Sequence, residues 1–353
     1  SGLRLKDIAC MASSNVLGRG LTEDELNHFH TRGYVIVTNV LTEDDFKPLE
    51  KDISELVDRK AQELLSRGCI TSAHADKPFS HRLAAIAAEC SEEVFAEEIT
   101  KFGISLDTMH ARVRGCFDLF FSPRLLAAIE SIVGPEITLN PIQHMRPFLP
   151  IRGGEQPMVG AASLAPWHQD QGVTREEADE SDILTCWIPF VDADSTNGCM
   201  RIIPDCVEIG LLEHIKDPQY GTTIRPDLLP DKPQVDASMK RGDILLMSKF
   251  TPHKSQPNTS NMVRWSLDCR FQKTGTPTGR PFWPEFVVQS REDPGSVQRS
   301  YDDWCRRWIH DLEASKGQRW HRVQGDVGGA VGSKHLSVGS DVASFGVAPA
   351  AKK

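Results

Sequence analysis

The sequence predicts a mainly β protein, an antiparallel β-barrel or sandwich with a layer of helices packed against it. Two observations carry this. Up to about residue 135 the apolar residues recur at helical spacing, and from Ile137 onward they alternate in short runs. The short runs are separated by clusters of Gly, Pro, Asn and Asp, as in a chain of strands joined by turns. Helices first and many strands later bury both kinds of apolar face most simply as a helical layer on one sheet.

The first helix starts at Thr22, where Glu25 completes a capping box, and ends near Gly33. "YVIVTNV" follows as a short strand rich in β-branched residues. Thr42 and Asp45 repeat the start signal for a longer amphipathic helix that runs to about Arg67. A third helical segment covers roughly 81–99, and a fourth, about 122–134, closes at Gly134. The strand candidates are "EITLNPIQHMRPF", "ILTCWIPFVDA", "GCMRIIP", "GDILLMSKFTPH" and "MVRWSLDCRFQ". A last helix, about 296–315, lines up Tyr301, Trp304, Cys305, Trp308 and Leu312 as an apolar stripe facing a core. Residues 1–20 read as a leader with Met11 as a candidate native start, and 21–320 as a single domain. Within it the helical layer spans about 21–135 and the β core about 136–275. The Gly-, Ser- and Ala-rich stretch 325–353 reads as a disordered or loosely docked tail.

At 353 residues the chain can bury a sizeable core. A net charge of -9 argues against a nucleic-acid partner, which would call for a basic face. Nine cysteines, an odd number without a C-x-x-C pair, read as reduced thiols of a cytoplasmic protein. No apolar run approaches the roughly 20 residues of a membrane helix, and the first residues lack the apolar stretch of a signal peptide. No membrane partner is expected, and the expected partners are dioxygen and a small-molecule substrate.

The stretch "PWHQDQG" sets His168 and Asp170 two positions apart. On a strand both side chains would share a face and could reach one metal ion. The third ligand comes from "GDILLMSKFTPH", which ends at His253. Two histidines and one carboxylate form the facial triad of non-haem Fe(II) oxygenases, which leaves three coordination sites open. A bidentate 2-oxo acid fills two of these and dioxygen the third. The far carboxylate of such a cosubstrate needs a charged partner once buried. Arg264, eleven residues past His253, offers a planar fork for it.

In order and spacing these residues resemble the phytanoyl-CoA dioxygenase family of Fe(II)/2-oxoglutarate-dependent oxygenases. The resemblance runs from "LTEDELNHFHTRGYVIVTNVLTEDDF" to about Arg280, with "HQD", "NGCMRIIP" and "PHKS" as its motifs. It implies a double-stranded β-helix, or jelly roll, and C–H hydroxylation with release of succinate and CO2. It also implies His168, Asp170 and His253 as iron ligands and Arg264 as the partner of 2-oxoglutarate, with Ser255 hydrogen-bonding nearby. Trp187 would line the cosubstrate, and Gln143, on the preceding strand, would touch it. The chain departs from the family after Pro204, where Asp205-Cys206-Val207 replaces the usual Gly-Ser-His or Gly-Thr-His. A Gly- and Ala-rich insertion, about 150–165, reads as a mobile loop over the site.

Other readings stand beside these. His74 and Asp76 form a second H-x-D, but one without a strand or a matched His/Arg pair, and they read as a turn. His144 is expected to face away from Gln143 and to be structural. Arg201 and Arg270 each suit a salt bridge as well as a substrate anion, and Cys199, Cys206 and Cys269 suit a core. A non-oxidative cupin-like metal protein or isomerase would keep the triad without needing Arg264. A halogenase would replace Asp170 with Gly or Ala.

Overall fold

The computed structural model describes residues 18–154, 164–217 and 221–323. Most of the expected leader, the 325–353 tail and residues 155–163 of the expected mobile loop lie outside the described residues. The first helix, α1 (Glu23–Arg32), begins as its capping box requires. Thr22 Oγ1 accepts from Glu25 N at 3.2 Å, and the Glu25 carboxylate accepts from Thr22 N at 2.8 Å. It ends at Gly33, whose φ of 82° is left-handed and suits a residue without a Cβ. Strand β1 (Tyr34–Val37) follows, then α2 (Glu43–Ser66), α3 (Phe79–Glu89), α4 (Arg114–Phe120) and α5 (Pro123–Val133).

The helix expected over 81–99 is not continuous. It stops at Glu89, and Ser91 starts a new turn by accepting from Val94 N, because a serine hydroxyl offers the backbone a competing partner. Residues 95–99 then wind as a π-turn. Helix α4 carries no start signal in the sequence. It crosses α2 so closely that a Cβ on Gly115 would lie 2.3 Å from Leu49 N, so the crossing depends on that glycine.

The strands are β2 (Ile137–Leu139), β3 (His144–Phe148), β4 (Leu184–Pro189), β5 (Met200–Ile202), β6 (His214–Asp217), β7 (Gly221–Ile224), β8 (Val235–Ala237), β9 (Ile244–Ser248), β10 (His253–Ser255), β11 (Arg264–Lys273) and β12 (Phe286–Gln289). The large antiparallel sheet runs β1-β9-β4-β11-β2-β12, with β3 also paired to β11, so it takes in strands on both sides of 136–275. The small sheet runs β10-β5-β8, and β6 and β7 form a separate hairpin. Strand β11 shows how the layers sort. Its alternate residues Trp265, Leu267, Cys269 and Phe271 join Phe46, Leu49 and Ile53 of α2 in the core between sheet and helices. On the other side, Trp187, Leu245 and Met247 of the large sheet meet Met200, Ile202 and Ala237 of the small one. Two antiparallel sheets packed face to face under a helical layer form the jelly-roll architecture.

The short helix α6 (Asp170–Val173) lies between β3 and β4, and α7 (Tyr301–Ala314) ends the described fold. Trp304 and Trp308 of α7 are fully buried, with Tyr301, Cys305 and Leu312 packed beside them, so the predicted stripe is core. Among the described residues no helix is long and apolar enough to cross a membrane.

Candidate active site

His168 and His253 face each other across an isolated antiparallel bridge. His168 N donates to His253 O at 3.0 Å, and His253 N donates to His168 O at 2.9 Å. Residues paired this way project to the same face, and the two ring centroids lie 4.2 Å apart. Asp170 departs from expectation. It does not share a strand with His168 but opens α6, so the turn of that helix brings its carboxylate round. Gln169 between them is anchored elsewhere, with Nε2 donating to Gly210 O (2.8 Å) and Phe250 O (2.7 Å). Behind α6, Gly172 allows close approach to His214, whose ring would lie 2.3 Å from a Cβ there. One ligand atom from each of His168, Asp170 and His253 falls within 4.8 Å of the other two.

The surroundings prepare these atoms for a cation. His168 Nδ1 lies 2.8 Å from Pro166 O, and His253 Nδ1 lies 2.9 Å from Thr251 O. A carbonyl can only accept, so each Nδ1 carries the proton and each Nε2 keeps its lone pair for a metal. Burial, with the His253 ring close by, pushes the His168 imidazole down to about 3. For Asp170 burial favours the neutral acid, but Arg270, His253 and His168 outweigh it and hold the carboxyl well below its usual range. Asp170 Oδ1 accepts from Arg270 Nη2 at 2.6 Å, and Oδ2 accepts from Thr185 Oγ1. Thr185 sits directly opposite Arg270 in the β4–β11 register.

Arg264 occupies the same inward face of β11 as Arg270, since the two are an even number of residues apart. It is 1 % exposed, and its guanidinium lies 4.6 Å from the Phe148 ring centre and 5.2 Å from that of Trp187. Nη1 donates to Ser266 Oγ at 2.6 Å, while Nε has no partner. Among the described residues no carboxylate forms an ion pair with Arg264. Burial, helped by the charge of Arg146, lowers its pKa to about 9.

The remaining candidates divide. Trp187 is buried beside Arg264, and Ser255 is buried two residues beyond His253 on β10. Gln143 is not on a strand. It lies in the turn between β2 and β3, fully buried, with Nε2 donating to Asn140 O at 3.0 Å and Oε1 lacking a partner. His144 pairs in register with Asp268, and its Nδ1 lies 2.9 Å from Asp107 Oδ2, a structural contact. Arg201 forms a cross-strand ion pair with Asp236 at 2.6 Å. His74 sits in a turn with φ 48°, its Nε2 2.8 Å from Glu89, and Asp76 points outward. Cys199, Cys206 and Cys269 are buried free thiols. A cavity of about 800 Å³ lined by Pro78, His81, Ala84, Phe95 and Leu149 shares no residue with the triad.

Sequence reasoning left Arg270 undecided and did not single out Thr185. The even spacing of Arg264 and Arg270 on one strand was a usable signal for the first. Nothing local marks Thr185.

The chain matches the family model described as Phytanoyl-CoA dioxygenase (PhyH) over residues 29–266, more than half its length. It is 26% identical over 246 residues to 1-deoxypentalenic acid 11-beta-hydroxylase of Streptomyces exfoliatus, covering 65% of this chain and 79% of that protein. It is 25% identical over 260 residues to phytanoyl-CoA dioxygenase of Arabidopsis thaliana, covering 69% of this chain and 86% of that protein. In fold it is similar to the apo form of the non-heme monooxygenase ThoJ, with a TM-score of 0.53 at 18% identity, covering 84% of this chain and 96% of that one. The chain therefore belongs to the phytanoyl-CoA dioxygenase family of Fe(II)/2-oxoglutarate-dependent oxygenases.

Proposed function

We propose that the protein hydroxylates an unactivated C–H bond of a small-molecule substrate, using Fe(II) held by His168, Asp170 and His253. Arg264 carries the reading: a guanidinium 1 % exposed, without a carboxylate among the described residues, calls for an anionic ligand. The far carboxylate of 2-oxoglutarate is such a ligand. Trp187 lies beside the Arg264 guanidinium, Ser255 and Gln143 are assigned contacts with the same ligand, and the unpartnered Gln143 Oε1, which can only accept, calls for a donor such as water. When bound, iron and 2-oxoglutarate together supply the oxidising power: one atom of O2 enters the substrate and the other enters succinate, with loss of CO2.

The chain's own residues bind, orient and exclude water. The carbonyls of Pro166 and Thr251 fix the imidazole tautomers, and Arg270 with Thr185 holds Asp170 ionised and in one orientation. The Phe148 and Trp187 rings keep water from the Arg264 guanidinium, which strengthens its pairing with a carboxylate. Asp170 supplies the oxygen ligand that a halogenase would lack. The domain boundaries at about 21 and 320 and a cytoplasmic location belong to the same proposal.

The test is metal and cosubstrate binding followed by turnover. The parent should bind one Fe(II) per chain under anaerobic conditions and consume 2-oxoglutarate and O2 in equal amounts, with succinate as product. His168→Ala and His253→Ala should lose both properties. Full iron binding by both variants would exclude the triad, and iron binding without any 2-oxoglutarate turnover would favour a non-oxidative metal protein.

A further inference from the structure

Residues 318–323, beyond α7 and outside the stretch matched by the family model, run back across the turn that follows Asp170. Arg322 makes the main contacts. Its Nε donates to Thr174 O at 3.1 Å, and its other nitrogens reach both carboxylate oxygens of Asp179, with Nη1 3.4 Å from Oδ2. Its side chain is only 15% exposed. The neighbouring Arg319–Glu176 pair, at 3.0 Å, is more open to solvent, and such pairs contribute little. Trp320 packs edge-on against Trp283, with ring centroids 5.0 Å apart.

Asp179 continues the line inward. Its Oδ1 also accepts from Gln171 Nε2 at 2.6 Å, and Gln171, 1 % exposed, is the residue next to Asp170. A four-residue helix such as α6 cannot hold itself in one place, because nucleation alone is unfavourable. Its carbonyl end is held from outside, by Arg280 Nη2 on Val173 O at 2.7 Å and by Arg322 on Thr174 O. His321, next to Arg322, is half-buried, and burial with Arg280 nearby lowers its pKa to about 3.

We propose that Arg322 is a positioning residue for Asp170, acting through Asp179 and Gln171, so that the segment 318–323 completes the metal site. This rests on the assignment of His168, Asp170 and His253 as metal ligands. Groups that orient metal ligands typically change affinity by about 10–100-fold when lost. Arg322 acts at one remove, so the low end applies.

Co(II) titration of full-length variants tests it, with His168→Ala as the reference. Arg322→Met should weaken Co(II) binding by about tenfold, and Arg322→Lys should recover part of the loss. Gln171→Leu should weaken binding to a similar degree. The double variant Gln171→Leu/Arg322→Met should bind no worse than the weaker single, because the two links act in series. Arg201→Met, which breaks only the Arg201–Asp236 pair, should bind as the parent does. Asp179→Asn interrupts the same line and decides the matter if Arg322→Met does not fold. Parental Co(II) affinity in Arg322→Met, or in Asp179→Asn when that variant is needed, would overturn the proposal, as would additive losses in the double variant. Parental affinity in His168→Ala would instead overturn the metal-site assignment on which it rests.

Discussion

Arg264 and Arg270 sit on the same face of the same strand, both buried, in opposite electrostatic circumstances. Arg270 has its counter-ion built in: Asp170 at 2.6 Å and Asp268 at 3.3 Å offset the burial and hold its pKa above the usual value. Arg264 has two aromatic rings and a hydroxyl, and burial pulls its pKa down to about 9. The difference teaches which parts of the site the fold finishes by itself. At the metal end an arginine fixes a carboxylate before any ligand arrives. At the other end the fold leaves a buried cation with no carboxylate paired to it among the described residues.

The sharpest way to break the comparison is to remove each arginine in turn. Arg264→Met should leave metal affinity near that of the parent and raise the KM for 2-oxoglutarate strongly. The loss of a desolvated charge pair corresponds to about 2–5 kcal/mol. Unchanged 2-oxoglutarate kinetics would make Arg264 a structural residue. Arg270→Met should show the reverse pattern, a metal affinity lower by about 10–100-fold with a smaller effect on the cosubstrate. If both variants fail in the same way, the two ends of the face are not distinct.

The smallest effect is a pH dependence of the metal-free protein. In the folded state burial and His253 hold His168 neutral down to about 3, whereas in an unfolded chain a histidine protonates near 6.5. Between those values the unfolded state binds the extra proton, so stability should fall as the pH drops from about 6.5 towards 3. Denaturant melts of the parent and of His168→Asn at pH 7.5 and 5 measure it. The variant should lose less stability than the parent over that interval, and equal losses would mean that His168 titrates as it does in an unfolded chain.

Much of this was legible along the chain because the signals are local. The capping boxes at Thr22 and Thr42 marked helices that start where the Glu25 and Asp45 carboxylates accept from the Thr22 and Thr42 backbone N–H. The alternation "RWSLDCRF" showed a strand with one apolar and one polar face. Helix α3 ended early because Ser91 offered a competing bond, a weaker signal than the apolar periodicity running past it.

By itself the sequence determined the capped and periodic helices, the helical layer over an alternating β core, and the order of His168, Asp170, His253 and Arg264. These follow from residue preferences and spacings of a few positions, which the chain carries wherever it goes. The tertiary structure alone decided that His168 meets His253 across a bridge, that Asp170 turns in from a helix, and that Arg270 and Thr185 hold it. It also decided that Arg322, 143 positions beyond Asp179, closes on the same turn. Such partners are joined only when the sheets close and the last helix docks. Hydrogen bonds between side chains so far apart leave no period or spacing in the sequence to read.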